Sequence, residues 1–196
     1  MIATGRLLWY VNRGSGAVTL ALLTTSVVLG IVTTMRWRSP RWPRFVTAAL
    51  HRNVSLLSVA FLSVHVFSAI ADGYAPIGWK DAVVPFVSQY RPLWLGVGTV
   101  ALDLFAAIVV TSLFRERLGP RAWKLVHWSA YACWPIAFVH GLGMGTDVGA
   151  SWMIAIDGAC LLAVALAVLW RFNAPPAEPQ LVTPLGAGAS TGETRT

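Results

Sequence analysis

The sequence predicts an all-α integral membrane protein built as a bundle of five transmembrane helices. Composition points there first: 56% of the residues are hydrophobic and 12% charged, against about 25% charged in an average soluble domain. Periodicity points there too. Apolar runs of about 20 residues recur, the length a helix needs to cross a hydrocarbon core of ~30 Å. Closed barrels also span membranes, but their strands alternate apolar and polar residues, and these runs do not. A net charge of +7 raises nucleic acid as a partner. The basic residues, however, are confined to loops between apolar spans rather than gathered on one soluble module, so the partner implied is lipid and not nucleic acid.

The first expected span runs from about Gly16 to Thr34, with Leu7–Val11 as a possible backward extension. Its length and flanking arginines read as a span rather than a cleaved leader. A basic loop with Pro40 and Pro43 separates it from the second span, about Ala48 to Ala71. A mixed loop at 72–92 precedes the third span, about Leu93 to Phe114. The fourth is about Ala122 to Leu142 and the fifth about Ala150 to Leu169, joined by a glycine-rich loop. Residues 1–172 thus form one membrane domain, and 173–196, rich in Pro, Ala, Gly and Thr, read as a disordered cytoplasmic tail. Cys133 and Cys160 lie singly in apolar helices, as small core residues do.

Orientation follows from the basic residues of the loops. Arg36, Arg38, Arg41, Arg44 and Arg52 flank the first loop, and Arg115, Arg117, Arg121 and Lys124 the third. The second has Lys80 and Arg91 offset by Asp72 and Asp81, and the fourth has none. A plasma or inner membrane protein with its N-terminus outside and C-terminus cytoplasmic is expected; Arg6 and Arg13 dissent and are outnumbered. Tryptophans such as Trp9, Trp94, Trp123 and Trp170 fall near span ends, where aromatic belts sit.

The four histidines are the residues that this scaffold does not require. His51 and His65 fall in the second span, His127 and His140 in the fourth. Ionisable groups at such depths are rare and usually functional. The two spans are separated by one helix and so run the same way. His51 then lies level with His127, and His65 with His140, the two levels about 20 Å apart at 1.5 Å of rise per residue. Each level offers two imidazoles and no nearby thiolate or carboxylate. A structural zinc wants four ligands; a planar iron macrocycle needs only two axial imidazoles. Two stacked hemes held by the bundle fit this donor set, with all four histidines as metal ligands. A heme-free proton relay or transporter using the same histidines is the rival.

Register poses a difficulty. On an ideal helix the fourteen-residue step from His51 to His65 returns to within about 40° of the same face, whereas the thirteen-residue step from His127 to His140 misses by about 140°. Pro135 lies between the latter pair, and a proline can rewind the ladder. The expectation is that Pro135 corrects the register.

The spacing His51-x13-His65 and then His127-x12-His140, within HRNVSLLSVAFLSVH and HWSAYACWPIAFVHGLGMGTD, resembles the ferric reductase-like transmembrane domain family over about residues 7–171. That family includes the membrane part of the NADPH oxidases and the heme-binding subunit of the methionine sulfoxide reductase system. The quinol-oxidising cytochromes b have a similar plan with slightly different spacings. The resemblance implies two b-type hemes, His51 and His127 on the inner one and His65 and His140 on the outer, carrying electrons across the membrane. It also implies departures. Five spans are counted rather than six, and no G-x-G-x-x-G follows a strand. Nicotinamide use is therefore not expected, and the donor would be a cytoplasmic flavoprotein reductase or a quinol. The acceptor would be an extracytoplasmic flavoprotein or reductase, ferric ions or oxygen. A membrane subunit that only docks and serves a separate reductase is the alternative within the same family.

Secondary sites complete the expectations. Arg52, with Arg44 or Lys124, is at the depth of the inner propionates, and Arg13 is placed to serve the outer propionates or an anionic acceptor. Asp147, one turn beyond His140, either orients the outer site or caps the fifth span, and the cap is the favoured expectation. Asp103 and Asp157 fall within spans as proton-path or interhelical hydrogen-bonding residues.

Overall fold

The computed structural model describes residues 2–35 and 44–174. The expected disordered tail from 175 on, and Arg36, Arg38, Arg41, the Arg44 side chain, Pro40 and Pro43 in the basic loop, lie outside the described residues. Among the described residues the regular structure is all helical: α1 (Ile2–Thr34), α2 (Arg44–Ala71), the short α3 (Trp79–Val83), α4 (Pro92–Leu113), α5 (Arg115–His127), α6 (Ala130–Met144) and α7 (Ser151–Asn173). Four of them are long and apolar enough to cross a membrane: Gly5–Thr34, Phe45–Ala71, Pro92–Leu113 and Ser151–Asn173. This is a multi-pass membrane protein. Leu56, Leu57, Phe67, Leu113, Leu162 and Leu166 face outward along these helices, as a lipid-facing surface requires. The first span begins earlier than expected, its helix running back through the Leu7–Val11 stretch.

The fourth expected span is not a single long helix but is divided between α5 and α6, neither of which is among the four long apolar helices. Gly119 has φ 75° and kinks α5 just before Pro120; only glycine holds such a backbone cheaply. α5 then ends at His127, and residues 128–129 form a turn before α6. α6 has 15 residues, about 22 Å of helix at 1.5 Å per residue. Charges explain the division in part: Arg121 and Lys124 belong to the α5 half and cannot sit in hydrocarbon cheaply.

α1 is the hub. It packs along α2 and also touches α6 and α7, while α4 packs on α6, α5 and α3. Leu20 of α1, Trp134 of α6 and Cys160 of α7 form the buried core, with Leu23, Val27, Phe138, Ile156 and Val164 against it. Trp134 Nε1 donates to Thr24 Oγ1 at 2.8 Å, satisfying both polar groups inside. Both cysteines are free and buried, Cys133 donating weakly to the Ala101 carbonyl at 3.4 Å. The hydrogen bonds Asn12–His65 and His51–Ser26 show that α1 and α2 run antiparallel. Trp123–Ser112 and His140–Trp94 show the same for α4 against α5 and α6.

Candidate functional site

The structure brings the histidines together as two pairs. His51 and His127 have ring centroids 6.2 Å apart, and His65 and His140 6.4 Å apart. Two imidazoles on opposite sides of one metal, with bonds of about 2.0–2.1 Å and about 1.1 Å from nitrogen to ring centre, stand about 6.3 Å apart. The observed separations match that figure at both levels. Among the described residues no group of three or more His, Cys, Asp or Glu side chains is placed to hold a metal ion, so each level offers two donors.

The thirteen-residue step does come into register, but the adjustment sits N-terminal to Pro135. Across the break, Ser129 N bonds Val126 O, Tyr131 N bonds Trp128 O and Ala132 N bonds Ser129 O, all three-residue steps at 3.0–3.1 Å. Such turns wind about 120° per residue rather than about 100°, which advances His140 toward the face of His127. Pro135 has no N–H for the Tyr131 carbonyl, and the tight turns lead up to that residue.

Three of the four rings are held by the same device. His65 Nδ1 lies 2.9 Å from the Asn12 carbonyl, His51 Nδ1 3.0 Å from the Ser26 carbonyl, and His140 Nδ1 2.8 Å from the Trp94 carbonyl. An Nδ1–H donated to a carbonyl leaves Nε2 with its lone pair free for a metal, and fixes the ring's orientation. Four residues after each accepting carbonyl comes a glycine: Gly16, Gly30 and Gly98. A Cβ on Gly16 would lie 3.1 Å from the His65 ring, one on Gly30 3.6 Å from His51, and one on Gly98 would overlap the His140 ring. The missing side chain is what lets each imidazole reach the helix backbone. Sequence reasoning missed these positions. Their signal is the fourteen-residue interval from Gly16 to Gly30, equal to that from His51 to His65.

His127 is the exception. Its Nδ1 is buried without a hydrogen-bond partner, and its ring stacks on Trp123, centroids 4.9 Å apart and planes 27° apart.

The His65–His140 pair borders a cavity of about 310 Å³ whose wall includes Arg13, Gly16, His65, Gly98, His140 and Asp147. Arg13 lies on this cavity wall, where its guanidinium pairs with Asp147 and lies 4.0 Å over the Trp9 ring. Asp147 therefore does not cap α7: the N-cap is Ala150, without a side-chain bond. Arg91 also closes this end, donating to the Gly143 carbonyl at 3.0 Å from a backbone with φ 43°. At the other end, Arg52 is exposed beside His51, and Lys124 lies 5.3 Å over Trp128. Arg171, unremarked in the sequence, donates to Tyr131 Oη at 2.7 Å and Thr34 Oγ1 at 3.1 Å, tying α7 to α6 and α1. Asp103 and Asp157 have no hydrogen bond or ion pair among the described residues; Asp103 is exposed and Asp157 half-buried.

The site the fold presents is thus a helical membrane bundle with two imidazole pairs at two depths. The chain belongs to the ferric reductase-like transmembrane component family, matched over residues 15–143. That stretch holds all four histidines and the three glycines, and membership implies transmembrane electron transfer. No curated protein and no solved structure matches the chain.

Proposed function

We propose that the protein binds two b-type hemes and conducts electrons across the membrane through them, His51 and His127 holding the inner and His65 and His140 the outer. The observation that carries this is the pair of imidazole separations, 6.2 and 6.4 Å, each that of two ligands on one metal axis. When bound, the hemes supply one-electron chemistry at iron already six-coordinate, which favours transfer over activation of oxygen at the metal. The chain's own part is to hold the imidazoles neutral and fixed by donating Nδ1–H to the carbonyls of Asn12, Ser26 and Trp94. Glycines keep the rings close to the backbone, and Trp134 with its core neighbours holds α6 against α1.

The second half of α5, with α6, completes a fifth crossing in this proposal, because the two histidines it carries lie level with those of α2. The basic ends near Arg52, Lys124 and Arg171 face the cytoplasm, and the Arg13–Asp147 end faces outward. Electrons enter from a cytoplasmic flavoprotein or from quinol and leave toward an extracytoplasmic flavoprotein, reductase or ferric acceptor. Arg13 then serves the outer propionates or the acceptor by exchanging its Asp147 partner for theirs, and Arg52 serves the inner ones.

The test is an absorption spectrum of purified protein, oxidised and dithionite-reduced, with heme counted per chain. Low-spin b-type bands from two hemes are expected, falling to about one with His65→Leu, since removing an axial ligand removes half of that ring's protein attachment. Colourless protein from heme-replete cells would sink the proposal and favour a histidine proton relay.

A further inference from the structure

Asp103 is a carboxyl group that faces outward from the middle of a span. It lies halfway along Pro92–Leu113, one of the four helices long and apolar enough to cross a membrane, and its side chain is exposed. Among the described residues it has no hydrogen bond or ion pair. Ionisable groups inside a membrane are expensive, and they almost always face the bundle interior or pair with one another. Acyl chains offer Asp103 neither a donor nor an acceptor, so this face calls for a protein partner.

Register defines the face. Gly96, Thr99, Asp103, Ala106, Val110 and Leu113 follow one another in steps of three and four and so share one side of α4. The chain itself covers the first two. The Phe86 ring fills the space beside Gly96, where a Cβ would overlap it, and Thr99 Oγ1 donates to the Asp81 carbonyl at 2.7 Å. From Asp103 onward the four remaining positions are exposed, while α5 and α6 meet α4 on its other sides, at Ser112 and Ala101. A seam of this spacing, with small Ala106 next to the polar residue, is the geometry on which membrane helices pair at a shallow crossing angle.

We infer that this side of α4 is a dimer seam whose occupant is α4 of a second copy, the two Asp103 carboxyl groups hydrogen-bonded to each other. Two arguments select a second copy. Copies in one bilayer share an orientation, so a two-fold axis along the membrane normal sets each residue opposite its counterpart at equal depth. A carboxyl group that holds its proton is both donor and acceptor. It is therefore complementary to itself, each O–H donating to the other's carbonyl oxygen. Asp157 does not fit the role. It is half-buried on α7 and lies six residues past Ser151, whereas Asp103 lies eleven past Pro92. Both helices start at the His65–His140 end, so the two carboxyls differ in depth by about 7.5 Å. The inference is independent of the hemes proposed above.

The test uses full-length protein in liposomes. Val110→Cys, seven residues past Asp103 on the seam, is expected to give a disulfide-linked dimer on oxidation. Leu162→Cys, on the exposed side of α7, is expected to stay monomeric; the native Cys133 and Cys160 are buried and contribute no cross-link. Energy transfer between separately labelled copies, followed as lipid is added, gives the dimer dissociation constant. Asp103→Leu is expected to raise it about tenfold, the loss of two interhelical hydrogen bonds of average membrane strength. Asp103→Asn, whose amide also donates and accepts, is expected to stay near the parent value. Val110→Cys protein that forms no dimer, or no more than Leu162→Cys does, overturns the inference. So does an unchanged constant in Asp103→Leu, which leaves the carboxyl to a different protein or to lipid. Circular dichroism checks that each variant is helical, and the Val110→Cys cross-link decides the matter if Asp103→Leu does not fold.

Discussion

The His65–His140 half of this bundle, the outer one in the proposal above, and the His51–His127 half, the inner one, carry the same donor pair on differently built mounts. At the outer level both rings donate to helix carbonyls, Asn12 and Trp94, and both sit in glycine gaps, Gly16 and Gly98. Arg13–Asp147 and Arg91–Gly143 tie the surrounding segments together. At the inner level His51 alone has such a mount, on Ser26 and Gly30, while His127 rests on Trp123 beside a broken helix. Ligand identity alone is therefore a poor guide to how firmly a site is held. The hydrogen bond behind a ligand and the rigidity of its backbone decide that.

The largest expected break in this comparison comes from the outer glycine gap. Gly98→Ala places a Cβ inside the space of the His140 ring. Overpacking of this kind costs about 1–3 kcal/mol where the ring must move, and here it displaces a ligand, so outer heme is expected to be lost. Gly30→Ala meets His51 at 3.6 Å, ordinary van der Waals contact, and should leave the heme count unchanged. Counting heme per chain in the two variants checks both.

A smaller effect is expected from Asn12→Ala. Asn12 Nδ2 bonds the His65 carbonyl at 2.8 Å and Ser68 Oγ at 3.3 Å. Interhelical bonds in membranes are worth about 0.6 kcal/mol on average, so the α1–α2 contact should weaken by about 1 kcal/mol with both hemes retained. Thermal loss of the Soret band in detergent is the measurement. Thr24→Val removes the acceptor of the buried Trp134 N–H. An unsatisfied buried donor costs about 1–3 kcal/mol, and since α6 carries His140 the outer band should be lost first on heating. The smallest effect is expected from Asp147→Asn. The pair is partly exposed, its side chains 15% and 34% accessible, and such pairs contribute about 0–1 kcal/mol. Its stability should change little, while the salt dependence of reduction of an anionic ferric chelate should rise as Arg13 is released.

Much of the site was legible in the chain. The histidines stand out because ionisable groups are rare at that depth and these four alone fall in matched pairs, and the spacing that pairs them is written in the helical rise. The glycine gaps were less legible: Gly16 and Gly30 repeat the interval of their histidines, but glycines are common in membrane helices. Two features were not legible at all. The division of the fourth span rests on how Gly119, Pro120 and the turn at 128–129 combine, and hydropathy averages over such breaks. The Arg13–Asp147 pair joins residues more than a hundred positions apart, so the sequence offered Asp147 a cap or an orienting role beside His140 without naming its partner.

By itself, then, the sequence determined a helical membrane bundle with two histidines at each of two depths, because hydrophobic length and rise per residue are local properties of a helix. The tertiary structure decided which backbone carbonyl stands behind each ring, where tight turns bring His127 and His140 onto one face, and which histidine is left without an anchor. Those outcomes depend on the register between neighbouring helices, and that register is set by packing contacts such as Trp134 on Thr24, which no single helix contains.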